Sequence, residues 1–242
     1  MKIIYAGALS TLLVVFLGVA MIAPIFIPNT RSKASLNIAL LFVVGQDSTS
    51  SWCNQLSSFL SKENVRATVF FMGKFALTYP ECVAGFGSGV DVGSQTFSYA
   101  NLTAISDYLI QLKEVKDGKT AVDRAGNLDS KLFMAPYGAT DENIYSLLSS
   151  SNILADFSYS DHYNEYYNGQ FIRMEIPVYE FSKYTSSHFL GLTNSDGSII
   201  LLIDTSTQFK EITDLVQSLK SANCRFVNAS DLVGIELTVR KG

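Results

Sequence analysis

The segment Asn64–Lys74, with the sequence NVRATVFFMGK, decides the fold class because it carries a run of β-branched and aromatic residues. From Val65 to Met72 this run predicts a strand. Upstream, Leu36–Val44 is continuously apolar, which is typical of a strand buried on both faces. Apolar residues recur at helical spacing over Trp52–Leu60, and Phe75–Phe86 predicts the next helix. Strands that alternate with helices in this way predict a mainly parallel sheet.

The same alternation continues towards the C-terminus. Further strands are predicted at Val90–Val92, Leu132–Ala135, Ile153–Tyr159, Ser198–Ile203 and Arg225–Val227. Further helices are predicted from Ile105 to a closing Gly118, from an N-cap at Thr140 to Ser150, and over Phe209–Leu219. The pattern predicts a sheet that is closed or nearly closed into a barrel, in which chemistry lies at the C-terminal ends of the strands.

Composition excludes one class of partner. The chain has 242 residues, of which 48% are hydrophobic and 17% are charged, and its formal net charge is −4. This length and apolar content suit one domain with a sizeable core. A negative net charge with scattered Lys and Arg argues against binding to nucleic acid, which would require a basic face.

The N-terminal segment Ile3–Ile27 contains no charged residue and follows Lys2. It is long enough to cross a bilayer, and Gly18–Ala20 would also serve as a cleavage site. We therefore expect a protein that is either membrane-anchored through residues 3–27 or secreted, with its domain on the extracellular or lumenal face. The predicted organisation is a signal peptide or anchor at residues 1–28, a linker at 29–35 and one domain at 36–242.

Two further features concern the compartment. Asn101 and Asn228 each begin an N-x-Ser/Thr triplet, which makes them candidate glycosylation sites in a eukaryotic host. The spacing of Cys53, Cys82 and Cys224 matches no zinc-binding pattern. One pair would form a disulfide in an oxidising compartment, or all three would be small buried apolar residues.

Several segments together resemble the polysaccharide deacetylase family, the NodB-homology domain of carbohydrate esterase family 4, which includes chitin deacetylases. In chain order, these segments are Asn64–Lys74, Tyr79–Glu81, Val92–Leu102, Phe133–Asn143, Leu201–Asp204 and Arg225–Val227. The resemblance implies an α/β fold, a distorted (β/α) barrel of the polysaccharide deacetylase type. It also implies the family's reaction, in which zinc or a similar divalent metal, held by two His and one Asp, activates water for N-deacetylation.

The positions that the resemblance assigns to catalysis carry other residues in this chain. Val43 and Val44 replace the Asp base and the Asp ligand, Gln95 and Tyr99 replace the two His ligands, Met134 replaces an Arg, and Ile203 replaces a His acid. Valine cannot bind a metal, and Gln and Tyr are weak neutral ligands. Each missing proton transfer typically costs about 10²–10⁴-fold in rate. The sequence therefore predicts no metal cofactor, no catalytic residues and no deacetylase activity.

The remaining polar residues offer alternatives. The chain contains two histidines, His162 and His188, whereas the family's reaction uses three. Asp47 and His162 are candidate substitute metal ligands for an active deacetylase. The alternatives are a turn or helix-capping role for Asp47 and a position in a polar loop for His162. His188 with Asp204 and a neighbouring serine would suit a new hydrolase, but no Gly-x-Ser-x-Gly elbow supports it. The simpler interpretations are that His188 is a solvated loop histidine and that Asp204 caps the end of a strand.

Two features are candidates for ligand binding. Pro136-Tyr137-Gly138 resembles the backbone turn that in the family helps to bind the acetate oxygen, although the fold alone would explain it. The segment from Phe157 to Tyr184 is rich in aromatic rings. The candidate ligand-binding residues are Pro136, Tyr137, Tyr163, Tyr166 and Tyr167. Sugar rings stack on exposed aromatic rings, whereas packing within strands would explain the same residues. The sequence thus predicts an inactive protein of the cell surface or wall that binds chitin-like polysaccharide weakly, with an active deacetylase and a scaffold without glycan affinity as alternatives.

Overall fold

The computed structural model describes residues 35–159, 161–184, 186–192, 197–235 and 237. The strands within these residues are β1 (Asn37–Val44), β2 (Ala67–Phe71), β3 (Val90–Ser94), β4 (Leu132–Phe133), β5 (Ala155–Asp156), β6 (His162–Tyr167), β7 (Gln170–Glu175), β8 (Val178–Glu180), β9 (Ser198–Asp204) and β10 (Arg225–Val227). The α-helices are α1 (Ser50–Glu63), α2 (Gly73–Thr78), α3 (Pro80–Ala84), α4 (Tyr108–Gly126), α5 (Glu142–Ser150), α6 (Ser186–Leu192), α7 (Phe209–Ser221) and α8 (Ala229–Val233).

The strands form one sheet in the order β7-β6-β5-β4-β3-β2-β1-β9-β8, and β10 pairs with the start of β1. Neighbours from β5 through β9 to β8 are parallel, whereas β6 pairs antiparallel with β5 and β7. Helices connect the parallel strands, as the twist of strand and helix requires. This arrangement confirms the predicted distorted (β/α) barrel.

Side chains of β1 alternate between two apolar clusters, because successive strand residues point to opposite faces of the sheet. The outer core contains Phe42 and Val44 together with Leu56 of α1 and Leu215 of α7, so it fills the space between sheet and helices. The inner core contains Leu41 with side chains of other strands, and Val43 packs against its edge. The continuous apolar run of the sequence is explained by this burial on both faces.

The predicted helix over Phe75–Phe86 is wrong in one respect, because the structure divides it into α2 and α3. The break falls at Tyr79, whose backbone angles are φ −131° and ψ 60°. Proline disfavours the helical conformation in the residue before it, and its missing N–H is harmless at a helix start. Pro80 accordingly begins α3.

The glycine predicted to end the fourth helix lies in its interior. A Cβ atom at Gly118 would lie 2.3 Å from the carbonyl oxygen of Gln95, so only glycine allows this close approach. The helix continues to Gly126 and ends at Asn127, which has a left-handed backbone with φ 49°. Gly118 thus holds α4 against the loop that follows β3.

The predicted N-cap of α5 is displaced by one residue. The Asp141 carboxylate accepts hydrogen bonds from the backbone N–H groups of Asn143 and Ile144, at 2.9 and 3.0 Å. The Thr140 hydroxyl instead donates to the buried carboxylate of Asp156 at 3.0 Å. A buried carboxylate needs donors more than a helix end does, because the helix end already has Asp141.

Cys53 of α1 and Cys82 of α3 form a disulfide, and Cys224 is a free, partly buried thiol. The disulfide resolves the alternatives left by the sequence. The predicted anchor or signal at residues 3–27 lies outside the described residues. Among the residues that are described, no helix has both the length and the apolar character needed to cross a membrane.

Candidate ligand-binding site

A cavity of about 470 Å³ opens at the C-terminal ends of the parallel strands. Its wall includes the rings of Tyr99, Tyr137 and Tyr159, and we call it the tyrosine pocket. Residues from the ends of β1, β8 and β9 and from the segments that follow β3, β4 and β5 complete the wall: Val43, Gln95, Met134, Ala135, Pro136, Gly138, Phe157, Ser158, Glu180, Ser182, Leu202 and Asp204. The cavity therefore lies where barrels of this class place their chemistry.

Of the six positions at which this chain lacks the catalytic residues of the family, four lie in this wall. Val43, Gln95, Tyr99 and Met134 line the tyrosine pocket. Val44 and Ile203 do not line it, because strand alternation directs both side chains into the outer core, where each is 0% exposed. At the end of β9, Asp204 rather than Ile203 reaches the pocket.

Gln95 is fully buried and connects the ends of two strands. Its side-chain nitrogen donates to the carbonyl oxygens of Val44 and Phe70, at 3.0 and 2.9 Å. Both amide hydrogens are thereby used. The side-chain oxygen is buried without a hydrogen-bond partner. The orientation of the amide follows from this network, since the reverse assignment would set an oxygen against two carbonyl oxygens.

Tyr99 and Tyr137 pack edge to face with their ring centroids 5.4 Å apart. Both have left-handed backbones, with φ values of 67° and 62°. Residues other than glycine seldom adopt this conformation, and the strain is commonly retained at functional sites. Gly45 leaves room for the Tyr99 ring, because a Cβ atom at Gly45 would lie 2.9 Å from that ring.

Gly138 completes the Pro136-Tyr137-Gly138 turn, which the structure keeps as a short 3₁₀ segment beside the pocket. Gly138 has a φ of 64°, and a Cβ atom there would lie 2.9 Å from the carbonyl oxygen of Ser158. A side chain at this position would therefore be strained on both counts. Tyr137 itself is 71% exposed, so its ring is available to a ligand.

The side chains at the inferred ligand positions do not fit a divalent metal. Val44, at the position of the Asp ligand, has no donor atom and is buried in the outer core, and the amide of Gln95 is engaged with backbone carbonyls. Burial raises the pKa of Tyr99, as do Tyr137, Asp204 and Asp47, which disfavours the phenolate that would bind a metal. Within the described parts of the chain, no group of three or more His, Cys, Asp or Glu side chains could hold a metal ion.

Asp204 and Asp47 differ in their relation to the pocket. One oxygen of the Asp204 carboxylate accepts from the backbone N–H of Ser206 at 2.8 Å, which confirms the predicted cap at the end of the strand. Asp204 also lines the pocket and is exposed. Asp47 is exposed in the turn between β1 and α1 and is not part of the wall.

A buried polar network supports the wall behind Ser158 and Tyr159. The Asp156 carboxylate is 0% exposed and accepts from the Thr140 hydroxyl at 3.0 Å, from the Ser158 N–H at 3.1 Å and from the Ser158 hydroxyl. The Tyr159 hydroxyl donates to the Thr140 carbonyl at 3.0 Å. Burial raises the pKa of Asp156 to about 6, although its hydrogen bonds oppose this.

Sequence reasoning did not assign Ser158, Tyr159 or Glu180 to a site. Ser158 and Tyr159 end the predicted strand Ile153–Tyr159, so their position at a strand end was the available signal. Glu180 belongs to β8, a short strand that was not predicted.

Neither histidine lines the tyrosine pocket. His162 is buried in β6, where its Nδ1 lies 2.6 Å from Asp161 Oδ1 and its ring stacks on Tyr159 at 4.2 Å. His188 is exposed but belongs to α6, and its ring stacks on Tyr184 at 4.5 Å. The interpretation of both residues as loop histidines is therefore wrong, because regular structure and ring stacking hold each of them.

The three tyrosines of β6 that were predicted to bind ligand do not form an exposed surface together. Tyr163 is 4% exposed and stacks on Phe157 in the inner core, so it offers no free ring face to a sugar. Tyr166 is partly buried against Phe171. Tyr167 is 58% exposed at the β6–β7 turn but does not line the pocket. The proposed role of Tyr163 in ligand binding is corrected by its burial.

The two candidate glycosylation sites also differ. Asn101 is exposed, and its side-chain oxygen accepts from Ala104 N–H at 3.2 Å. Asn228 is 2% exposed, and its side-chain nitrogen donates to Asp91 at 3.0 Å. Since a glycan would be attached to that nitrogen, the native packing is incompatible with glycosylation at Asn228.

Comparison with known proteins gives a consistent picture. The family model described as polysaccharide deacetylase matches residues 32–155. The peptidoglycan-N-acetylglucosamine deacetylase PgdA of Listeria monocytogenes is 25% identical over 213 residues, which are 87% of this chain and 42% of PgdA. The chain thus spans less than half the length of this curated relative.

Two solved structures share the fold. A peptidoglycan N-acetylglucosamine deacetylase, Bc1960, superposes with a TM-score of 0.61 at 19% identity, covering 84% of this chain and 92% of its own. A wild-type CE4-family pseudoenzyme of Bacillus anthracis superposes with a TM-score of 0.60 at 13% identity, covering 82% and 67% respectively. At these identities, both similarities concern the fold alone.

Proposed function

This chain belongs to the polysaccharide deacetylase family, and on that premise we propose that it is a catalytically inactive member that binds glycan in the tyrosine pocket. The proposed ligands are chitin-like or peptidoglycan polymers, by analogy with the relatives that deacetylate peptidoglycan. We assign residues 36–242 to the binding domain and residues 1–28 to a signal or anchor that brings it to the cell surface or wall.

The chemistry of the pocket wall carries the proposal of inactivity. Amide hydrolysis at neutral pH needs an activated water, which the family obtains from a metal. At the position of the general base Val43 is aliphatic, and at the position of one His ligand Gln95 is engaged with two backbone carbonyls. The fold neighbour that is itself a pseudoenzyme provides a precedent for loss of activity on this scaffold.

The retained cavity favours binding over a scaffold without a ligand. Val44 and Ile203 are packed in the outer core, yet the inner side of the same strand ends stays open. Tyr99 and Tyr137 keep unfavourable backbone conformations at its wall. A scaffold would gain stability by relaxing them.

The disulfide supports a location outside the cytoplasm. The Cys53–Cys82 disulfide would persist in an oxidising compartment, whereas structural disulfides are rare in reducing ones. This agrees with the proposed signal or anchor.

Metal content and acetate release test the catalytic part of the proposal. We would purify the full chain, determine bound metal by mass spectrometry and assay acetate release from acetylated chitooligosaccharides and peptidoglycan fragments with added zinc or cobalt. The expected result is no stoichiometric metal and no acetate, against an active peptidoglycan deacetylase as the positive control. Stoichiometric metal with steady release would overturn the proposal and establish the active deacetylase.

Binding to partly deacetylated chitooligosaccharides and peptidoglycan fragments tests the second part. Tyr137→Ala removes an exposed ring from the pocket, so we expect about a tenfold or greater loss of affinity. Tyr167→Ala removes an exposed ring outside the pocket and serves as the matched control. The absence of binding to every glycan would favour the scaffold.

A further inference from the structure

We propose that the tyrosine pocket selects amino sugars with a free ammonium group over their N-acetylated forms. This inference rests on the proposed glycan-binding function and specifies the ligand of the same pocket. Deacetylated glucosaminyl units carry such a group, whereas N-acetylglucosaminyl units are neutral at that nitrogen.

Charge in the pocket wall is the first observation. Asp204 and Glu180 line the cavity, and none of the described residues that line it is Lys, Arg or His. Glu180 is paired with Lys183 outside the wall at 2.8 Å. The Asp204 carboxylate uses one oxygen to cap Ser206, so it remains the charged group that a ligand would meet. A cation would be attracted to this wall, and more so in a partly desolvated cavity.

Hydrogen-bonding capacity is the second and independent observation. Both donor hydrogens of Gln95 are used by Val44 and Phe70, while its oxygen is buried without a partner in the wall. The Ser158 hydroxyl already donates to Asp156 and accepts from the Ala135 N–H at 2.7 Å. The polar groups left over at Gln95 and Asp204 are therefore acceptors. An ammonium group offers three donors and no acceptor, which complements them.

The rings add a third contribution. Tyr99, Tyr137 and Tyr159 line the same cavity as Asp204. Asp204 also acts on the Tyr99 hydroxyl, because its charge contributes to the raised pKa of that group. Aromatic faces attract cations and stack on the apolar faces of sugars. An N-acetyl group would gain none of the charge-dependent attraction.

A matched pair of ligands tests the inference. We would measure binding of the full chain to chitotetraose and to fully deacetylated chitotetraose by calorimetry at pH 6, where the amines are protonated. We expect the deacetylated form to bind at least about tenfold more tightly. Asp204→Asn keeps an oxygen for the Ser206 cap, and it should abolish this preference by weakening the binding of the deacetylated form by about tenfold.

Glu81→Gln is the control for general attraction between a negative protein and a cationic sugar. Glu81 is exposed on α3 and does not line the pocket. The preference should persist in this variant. Two outcomes would overturn the inference and leave the glycan-binding function standing. In the first, Glu81→Gln and Asp204→Asn reduce the preference for the deacetylated sugar equally. In the second, chitotetraose binds to the wild type as tightly as its deacetylated form. If neither sugar binds, the inference is overturned, and the binding of peptidoglycan fragments then decides the glycan-binding function.

Discussion

Val43 and Val44 are adjacent and chemically identical, yet they belong to different regions of the molecule. Val44 is 0% exposed in the outer core between the sheet and the helices. Val43 is partly buried and faces the tyrosine pocket. The same division separates Ile203 from Asp204 at the end of β9.

The difference shows that the two faces of these strand ends have separate roles. The outer face is close-packed and apolar, so it contributes stability. The inner face remains an open cavity with carboxylate, amide and phenol groups, which contributes less to packing. We therefore expect changes on the outer face to affect the free energy of unfolding and changes on the inner face to affect ligand binding.

The largest effect is expected for Val44→Asp. A carboxyl group in the outer core has no partner, so the variant should lose about 4 kcal/mol or more of unfolding free energy. Val43→Asp is the matched control, with an expected loss of about 1 kcal/mol, because the group would face the cavity opposite Asp204. Urea unfolding measures both. Equal losses would mean that the two faces do not differ as described.

The disulfide provides a second test of whether the outer core and the pocket have separate roles, because both Cys53 and Cys82 belong to the outer core. Replacing both by alanine should cost about 3 kcal/mol of unfolding free energy, since the bond closes a loop with a sequence separation of 29. Glycan affinity should be unchanged at temperatures where the variant is folded. Cys224→Ala controls for loss of a thiol, and a folded double variant that no longer bound glycan would contradict the separation of roles.

Burial of the Asp156 carboxylate beside the pocket should make the free energy of unfolding depend on pH. The expected change is similar in size to the effect of removing the disulfide. The folded-state pKa of Asp156 is raised to about 6 from its ordinary value of 3.8, so the folded protein binds the proton more tightly. The contribution of this group is therefore most favourable below pH 4 and declines by about 3 kcal/mol as the pH rises to 6 and above.

Asp156→Asn should remove this decline from a series of unfolding experiments between pH 4 and pH 7. Glu142→Gln, at an exposed position on α5, should leave the profile of the wild type unchanged. A wild-type profile identical to that of Asp156→Asn would show that the carboxyl group ionises normally and that the network behind the pocket is more hydrated than its burial indicates.

A smaller loss is expected for Gln95→Met, about 2 kcal/mol, because it leaves the carbonyl oxygens of Val44 and Phe70 without their donor. Gln111 makes the same kind of contact, donating to the carbonyl oxygens of Leu102 and Ile105 at 3.0 and 2.9 Å. It is only partly buried, so water can replace the donor and Gln111→Met should cost less than about 1 kcal/mol. A reversed order of the two losses would falsify the bridging role of Gln95.

Much of the fold followed from the sequence. The apolar run Leu36–Val44 predicted a strand buried on both faces, and the alternation of strands with helices predicted the barrel. Two of the errors occurred where a single residue has two roles. Gly118 was interpreted as a helix end, but it allows α4 to approach Gln95, and Pro80 both interrupts one helix and begins another.

The candidate site was less predictable. Val43, Gln95, Tyr99 and Met134 were identified as wall positions through a resemblance, and Tyr137 through its turn. Tyr163 was misassigned because an aromatic residue in a strand has the same sequence signal whether it faces the core or a ligand.

By itself, the sequence determined which chemical groups are available, because folding cannot create a metal ligand or a proton donor that the chain lacks. The chain has two histidines, and positions 43 and 44 are the aliphatic residues Val43 and Val44. Only the tertiary structure decided which of two adjacent valines borders the pocket. Alternation along a strand fixes that neighbours face opposite sides, but not which side is the cavity. The meeting of Tyr99, Tyr137 and Tyr159 and the raised pKa of Asp156 likewise depend on contacts between distant segments, which local sequence does not encode.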